Sequence, residues 1–325
     1  MHMSDALVSP VVAVAAAVIT ATLVAVAVVR LRRNYTPSLL PLMGVMGAFV
    51  FAAQMLNFTI PGTGSSGHLV GGVLLAAVLG PWAGFLSLAA VLTLQCLLFA
   101  DGGLMALGCN IFNMAAVSCL LVYPMLFRPI AGGMGVGRIA VASVLSSIMA
   151  LLLGAVCVTL QTELSHITAL PTTTFLSFML PIHLAIGVVE GVATALVLGI
   201  AYKSDPMLLE GVRNHPSTSQ RGWRPVLTLV VVGVVALVCA GWISDFASPH
   251  PDGLEWSVMR TAGESSVAAT PSQLGAVSAS VVGATALLPD YKGALAGVVG
   301  ALILVVVAFV VAWIAGRAPW RRRDR

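Results

Sequence analysis

What most limits the fold of this chain is the recurrence of apolar runs about 20 residues long. A bilayer's hydrocarbon core, about 30 Å thick, takes about 20 helical residues to cross. Inside it every backbone N–H and C=O needs an internal partner, which leaves helices or a closed barrel. Runs of this kind lie near 7–29, 38–58, 83–100, 104–127, 139–160, 175–202, 225–244 and 294–316. A shorter apolar piece, 69–80, stops at Gly80, Pro81 and Trp82, where proline breaks a helix and tryptophan prefers the interface. Counted as a short span, it brings the total to about nine. Composition agrees, with 59% hydrophobic and 9% charged residues against about 25% charged in soluble domains. The expected fold is an all-α polytopic membrane protein, a bundle of about nine transmembrane segments.

Basic residues orient the bundle, because cytoplasmic loops are enriched in them. With the N-terminus extracytoplasmic and the C-terminus cytoplasmic, the inside loops hold Arg30, Arg32, Arg33, Arg128, Arg138, Lys203, Arg213, Arg221, Arg224, Arg317, Arg321, Arg322, Arg323 and Arg325. Only Arg260 and Lys292 of the 16 lysines and arginines fall outside. The first run has no basic residue before it and three directly after it, the reverse of a cleavable signal peptide, so it is expected to be retained. A multi-pass protein of the cell membrane is the expectation, and the net charge of +4 reads as an orientation signal rather than as affinity for nucleic acid. All five cysteines fall within apolar runs without a CxxC pair and read as small packing residues, not as disulfides or a thiolate metal site.

Polar residues cluster. The stretch NFTIPGTGSSGHLVGG, Asn57 to Gly72, is a Gly/Ser-rich loop that brings His68 to the start of a span. LQCLLFADGGLMALGCNIFNMA carries Gln95, Asp101, Asn110 and Asn113 at the membrane boundary, where unpaired polar groups are costly and mark functional candidates. The terminus itself reads MHMSDALVSP. An N-terminal X-His dipeptide offers a metal three nitrogens: the terminal amine, the deprotonated His2 amide and His2 Nδ1, which close adjacent five- and six-membered chelate rings in one plane. A fourth nitrogen completes a square suited to Ni(II) or Cu(II), and His68, on the same face, is the natural donor. A terminal histidine that is merely solvated and a loop histidine that is merely a hydrogen-bonding partner are the plainer alternatives.

MHMSDALVSP, PLMGVMGAFVFAAQMLNFTIPGTGSSGHLVGG, LGPWAG, LQCLLFADGGLMALGCNIFNMA and PIHLAIGVVEGVATA resemble, in order and spacing over about the first 200 residues, the CbiM/NikM family. These are the substrate-capturing membrane (S) components of energy-coupling factor transporters for nickel and cobalt. The resemblance implies that Met1 through its amine, His2 through amide and ring nitrogens, and His68 carry the metal, with Ni2+ or Co2+ as transported substrate and no organic cofactor. Ala6 stands where the family commonly has Gly, and the PGTGSSGH loop is longer than in many members. Ser65, Ser66, Gln95 and Asn110 are candidates for the surrounding shell that sets selectivity, since the ligand set alone suits nickel, cobalt and copper alike.

The division expected is an S-component domain over 1–203, a polar cytoplasmic linker over 204–224, and a two-span domain over 225–325 with an extracytoplasmic segment 245–292. That last part, with SPHPDGLEWSVMR, resembles the PDGLE accessory domain of the same transporters. Its His250, Asp252 and Glu255 read as loop-structuring residues before metal ligands. No GxxxxGK[ST] phosphate loop occurs, so ATP-driven uptake implies a separate transmembrane coupling (T) subunit and ATPase subunits. Small residues four apart between Ala13 and Ala27 suit packing within the chain or against a partner equally. The rival reading is a proton-coupled secondary metal permease using His183 and Glu190, seven apart on one helix face; as a structural hydrogen-bond pair they need no such role. An enzyme is not expected: there is no HExxH, and among carboxylates only Asp5 is near a predicted ligand in sequence.

Overall fold

A computed structural model describes residues 1–33, 39–133, 135–213, 225–263, 270–289 and 294–317. Lys292, Arg221, Arg224 and the basic residues 321–325 used to orient the chain lie outside the described residues, as does most of the linker.

Each apolar run becomes a helix, and two further helices form between the last two runs. In order these are α1 (Pro10–Arg33), α2 (Leu39–Gln54), α3 (Gly72–Leu79), α4 (Pro81–Phe99), α5 (Leu107–Ala131), α6 (Val136–Ser165), α7 (Thr172–Ser204), α8 (Pro225–Gly241), α9 (Gly253–Ala262), α10 (Gln273–Thr285) and α11 (Ala294–Arg317). Among the described residues, α1, α4, α5, α6 and α7 are long and apolar enough to cross a membrane, whereas α2, α8 and α11 carry shorter apolar stretches. The run at 69–80 yields only the eight residues of α3, about 12 Å at 1.5 Å per residue, and cannot span by itself. All eight are buried, so this run is apolar because protein surrounds it. Gly80, at φ 91°, turns the chain and Pro81 opens α4, the position where a missing N–H costs nothing. Ile111–Phe127 of α5 is wound in the wider π register around Pro124.

Not everything is helical. The loop before His68 folds into an antiparallel hairpin, β1 (Phe58–Ile60) with β2 (Ser65–Gly67), pairing Phe58 with Gly67 and Ile60 with Ser65. Its turn holds Gly62 and Gly64 at φ 77° and 73°, a left-handed region that glycine enters without strain.

Small residues decide the closest crossings. A Cβ at Gly187 would lie 2.8 Å from the Ile148 Cα and one at Gly191 would lie 2.6 Å from the Val144 Cα, so this pair four apart lets α7 meet the α6 backbone directly. Likewise Gly300 of α11 sits against the Phe51 ring of α2, and a Cβ at Gly297 would stand 2.7 Å from the Ala240 carbonyl of α8. The C-terminal helices therefore pack onto α2. On α1, Ala13, Thr20 and Ala27 form one buried stripe, and Thr20 Oγ1 donates to the Gly108 carbonyl at 2.9 Å. Val11, Val14, Val18 and Ile19 on its other face are exposed, as are Leu184, Val188, Val192 and Leu196 on α7, an apolar outer surface that suits a lipid solvent.

Gly191→Leu should overpack the α6–α7 crossing at a cost of about 1–3 kcal/mol or more, read as a lower thermal midpoint in detergent micelles. Leu196→Ala, on the outward face, should leave that midpoint in place.

Candidate metal site

Residues 1–9 turn inward rather than trailing into solvent, and Met1, Met3, Leu7 and Val8 are buried. Met3 is held at its backbone: its N–H donates to Asn110 Oδ1 at 2.8 Å, while Asn110 Nδ2 and the Gly103 N–H donate to its carbonyl at 3.1 and 3.0 Å. Asp5 accepts from the Ala106 N–H at 3.0 Å and from the Ser278 hydroxyl of α10. Gly102 and Gly103 leave the space: a Cβ at Gly102 would fall 2.9 Å from Asn110 Nδ2, and one at Gly103 would collide with the Asp5 carboxylate. The Met1 side chain fills a slot over Gly154 of α6, where a Cβ would strike its terminal methyl.

This anchoring brings three predicted donors together. The Met1 amine lies 3.4 Å from His68 Nε2, and the His2 and His68 rings stack at 5.3 Å between centroids. Adjacent corners of a square with metal–nitrogen bonds of about 2.0 Å stand about 2.8 Å apart, so a modest contraction would close it. In such a square the fourth corner neighbours the amine, and His68 Nε2 is the ring nitrogen that lies beside the Met1 amine.

Hydrogen bonds select the tautomers. His2 Nε2 lies 3.2 Å from Gln95 Oε1, Gln95 Nε2 donates to Gln54 Oε1 at 2.6 Å, and Gln54 Nε2 donates to the Val70 carbonyl at 2.8 Å. Every donor in that relay points the same way, so His2 carries its proton on Nε2 and leaves the Nδ1 lone pair free. His68 Nδ1 is bonded to the Leu69 carbonyl at 3.0 Å, which frees Nε2. Burial and then the adjacent terminal ammonium lower the His2 pKa to about 3, and the same two causes followed by His2 lower that of His68 to about 4. Both imidazoles are neutral at neutral pH, the form that ligates metal. Behind His68, the Val70 and Gly71 N–H groups donate to the buried Glu190 carboxylate at 2.7 and 3.1 Å, fixing the loop to α7.

Carboxylates also reach the site. Asp252 Oδ2 accepts from the Met1 ammonium at 2.7 Å and lies 3.8 Å from His68 Nε2. Burial works to raise the Asp252 pKa, but the ammonium and His68 together hold it well below the usual carboxylate range. Asp101 Oδ1 stands 3.6 Å from His2 Nδ1. The expectation that only Asp5 among carboxylates is near a ligand is therefore corrected: Asp5 is occupied with Ala106 and Ser278, and Asp101 and Asp252 arrive through the fold.

The chain's sequence matches the model of a family described as the cobalt uptake substrate-specific transmembrane region, over residues 2–208. The chain belongs to this CbiM family. A PDGLE domain matches over 227–317. This CbiM-family chain is 32% identical over 259 residues to the fused nickel transport protein NikMN of Rhodobacter capsulatus, covering 74% of each. It is 29% identical over 178 residues to the cobalt transport protein CbiM of Sorangium cellulosum, covering 52% of this chain and 76% of that one. Against a curated relative from Archaeoglobus fulgidus, 40% identical over 176 residues, it covers 52% of its own length and 55% of the relative's, so the chain spans about half of that protein. Among solved structures, one described as a transition metal transporter is 32% identical with a TM-score of 0.56, covering 68% of this chain and 100% of that one.

Of the residues singled out in the CbiM-family sequence, Met1, His2, His68, Gln95 and Asn110 meet at one place. Ser65 and Ser66 do not bond the three donors: Ser65 Oγ donates to the Ser66 carbonyl at 3.1 Å, and Ser66 Oγ to the His250 carbonyl at 2.8 Å. They tie the hairpin to the chain before α9. Asn113 is satisfied by Gln161, which it meets through two bonds of 2.7 and 2.8 Å. His183 and Glu190 are not a hydrogen-bonded pair; His183 Nδ1 is bonded to the Met179 carbonyl at 2.8 Å, and both Glu190 oxygens are taken by the loop. Asp252 and Glu255 do structure their loop, as a reciprocal capping box at the start of α9, while His250 is exposed. Sequence reasoning missed the second oxygen of Asp252, and it missed Gln54, a lone amide inside an apolar run.

Asp252→Asn removes a charge-assisted bond worth about 1.5–3 kcal/mol. The Met1 amine should then react with an amine-directed reagent about tenfold faster or more. Gly154→Leu, which expels the Met1 side chain from its slot, should do the same.

Proposed function

We propose that this chain captures a divalent nickel or cobalt ion at Met1, His2 and His68 and passes it across the cell membrane as the S component of an ATP-driven energy-coupling factor uptake transporter. The observation that carries the reading is the meeting of the terminal amine with His68 Nε2 and of the His2 ring with the His68 ring, both ring tautomers being set for ligation by Gln95 and the Leu69 carbonyl. A closed four-nitrogen set has no open position for a substrate water, which favours capture over catalysis. The names of relatives as nickel and cobalt transport proteins support the cargo.

Residues 1–203 are the capturing domain, 204–224 the linker and 225–325 the accessory unit. About nine membrane segments, with α3 crossing only together with the buried chain that leads into it, put the terminus outside and the C-terminus inside. Energy comes from separate ATPase subunits working through a T subunit, for which the exposed apolar face of α1 offers a docking surface within the bilayer. The permease reading through His183 and Glu190 loses support, because both Glu190 oxygens are engaged by backbone N–H groups and the two side chains are not bonded to each other.

The test is Ni(II) and Co(II) binding to the purified chain by calorimetry and absorption spectroscopy, with His68→Ala and a chain bearing one residue before Met1 as variants. Both should lose tight binding and the absorption of square-planar nickel. Tight binding by the extended chain would place the metal elsewhere.

A further inference from the structure

Beside the capture site lies a cavity of about 10 Å³, room for about one water-sized occupant. Met1, His68, His183, Ile186, Asp252 and Gly253 line it. His183 is fully buried, and its Nε2 has no hydrogen-bond partner among the described residues. A buried polar atom left without a partner costs about 1–3 kcal/mol, and in a native fold it asks for an explanation.

The ring is set up as a ligand. Its Nδ1 is tied to the Met179 carbonyl at 2.8 Å, just as His68 Nδ1 is tied to the Leu69 carbonyl at 3.0 Å, so both rings keep an Nε2 lone pair. A backbone carbonyl on the far nitrogen is the arrangement that orients metal-binding histidines. Asp252 reaches the same cavity, its Oδ2 3.8 Å from His68 Nε2. Gly253 keeps the space open: a Cβ there would fall 2.8 Å from Ile186 Cδ1 and 3.3 Å from His183 Cε1.

We propose that His183 Nε2 and the Asp252 carboxylate form a second subsite for the same divalent transition-metal ion, adjoining the capture site and sharing His68 with it. The inference rests on the capture reading above. The two sites are filled alternately. As the ion moves, His183 Nε2 and an Asp252 oxygen bind while the terminal amine and the two His2 nitrogens leave. The His2 amide recovers its proton from water, and the metal's oxidation state does not change. Exchanging ligands one at a time, with His68 bound throughout, avoids a step in which the ion has no protein ligand.

The kinetics of Ni(II) exchange test this on the full-length chain. Metal would be added to the purified protein, or withdrawn by a coloured chelator, while the square-planar absorption is followed. In His183→Gln both loading and withdrawal should slow about tenfold or more, within the range typical of removing a metal-site partner, with the equilibrium affinity and absorption unchanged. Gly253→Ala fills the cavity but keeps both donors, and it should slow exchange likewise. The unchanged nickel absorption serves as the check that each variant is folded. Native rates in Gly253→Ala, or in a folded His183→Gln, would overturn the subsite, including the case in which His183 holds only a water. Failure of the capture reading looks different: His68→Ala would then retain tight binding.

Discussion

Two hydrogen bonds at one side chain, between Asn110 and the N–H and carbonyl of Met3, fix where the first residues of the sequence lie. A chain terminus normally frays, because nothing repays the entropy of ordering it. Here the Asn110 amide supplies both a donor and an acceptor at a buried position, and Gly103 adds a third bond to the same residue. With Met3 fixed, His2 has little choice of position and Met1 is directed at His68. The geometry of the site follows from a residue that supplies none of its donors.

The remaining order comes from a polar relay in an apolar setting. His2, Gln95, Gln54 and Val70 form one directional series, and Glu190 closes it on the far side of the His68 loop. In a low-dielectric interior such a series is strong when complete and costly when broken. Its two ends are the two histidines' own segments, so the relay couples the position of one ring to that of the other. Rigidity matters for a small ion, because the donor spacing is what distinguishes one metal from its neighbours in the first transition row.

The sequence carried much of this in plain view. Apolar runs of 20 residues located the long helices, and the terminal Met1-His2 pair with His68 in a Gly/Ser loop named residues that the fold brings together. The run at 69–80 misled because burial inside protein and burial in lipid select the same residues; only its eight-residue length tells them apart. The hairpin before His68 was hidden because Ser and Gly are poor strand formers, and its pairing depends on a distant segment that bonds Ser66. Asp252 was legible as a helix cap, since a cap is a local pattern. Its other oxygen meets a residue 251 positions away, and no local pattern reports that. Glu190 was seen as a titratable group in a span, whereas its partners are backbone N–H groups, which leave no mark in a sequence.

The reach of Asp252 has a consequence for biosynthesis. Met1 is made first, yet its partners come from a hairpin some 60 residues on, from α6 beyond position 150, and finally from the PDGLE motif at 252. Contacts between such remote positions form only after the intervening chain exists and its loops have closed. For most of translation and membrane insertion the terminal amine has no resting place. Its carboxylate partner comes only with the accessory unit, so a chain that stalls before residue 252 presents a terminal amine without Asp252 to hold it.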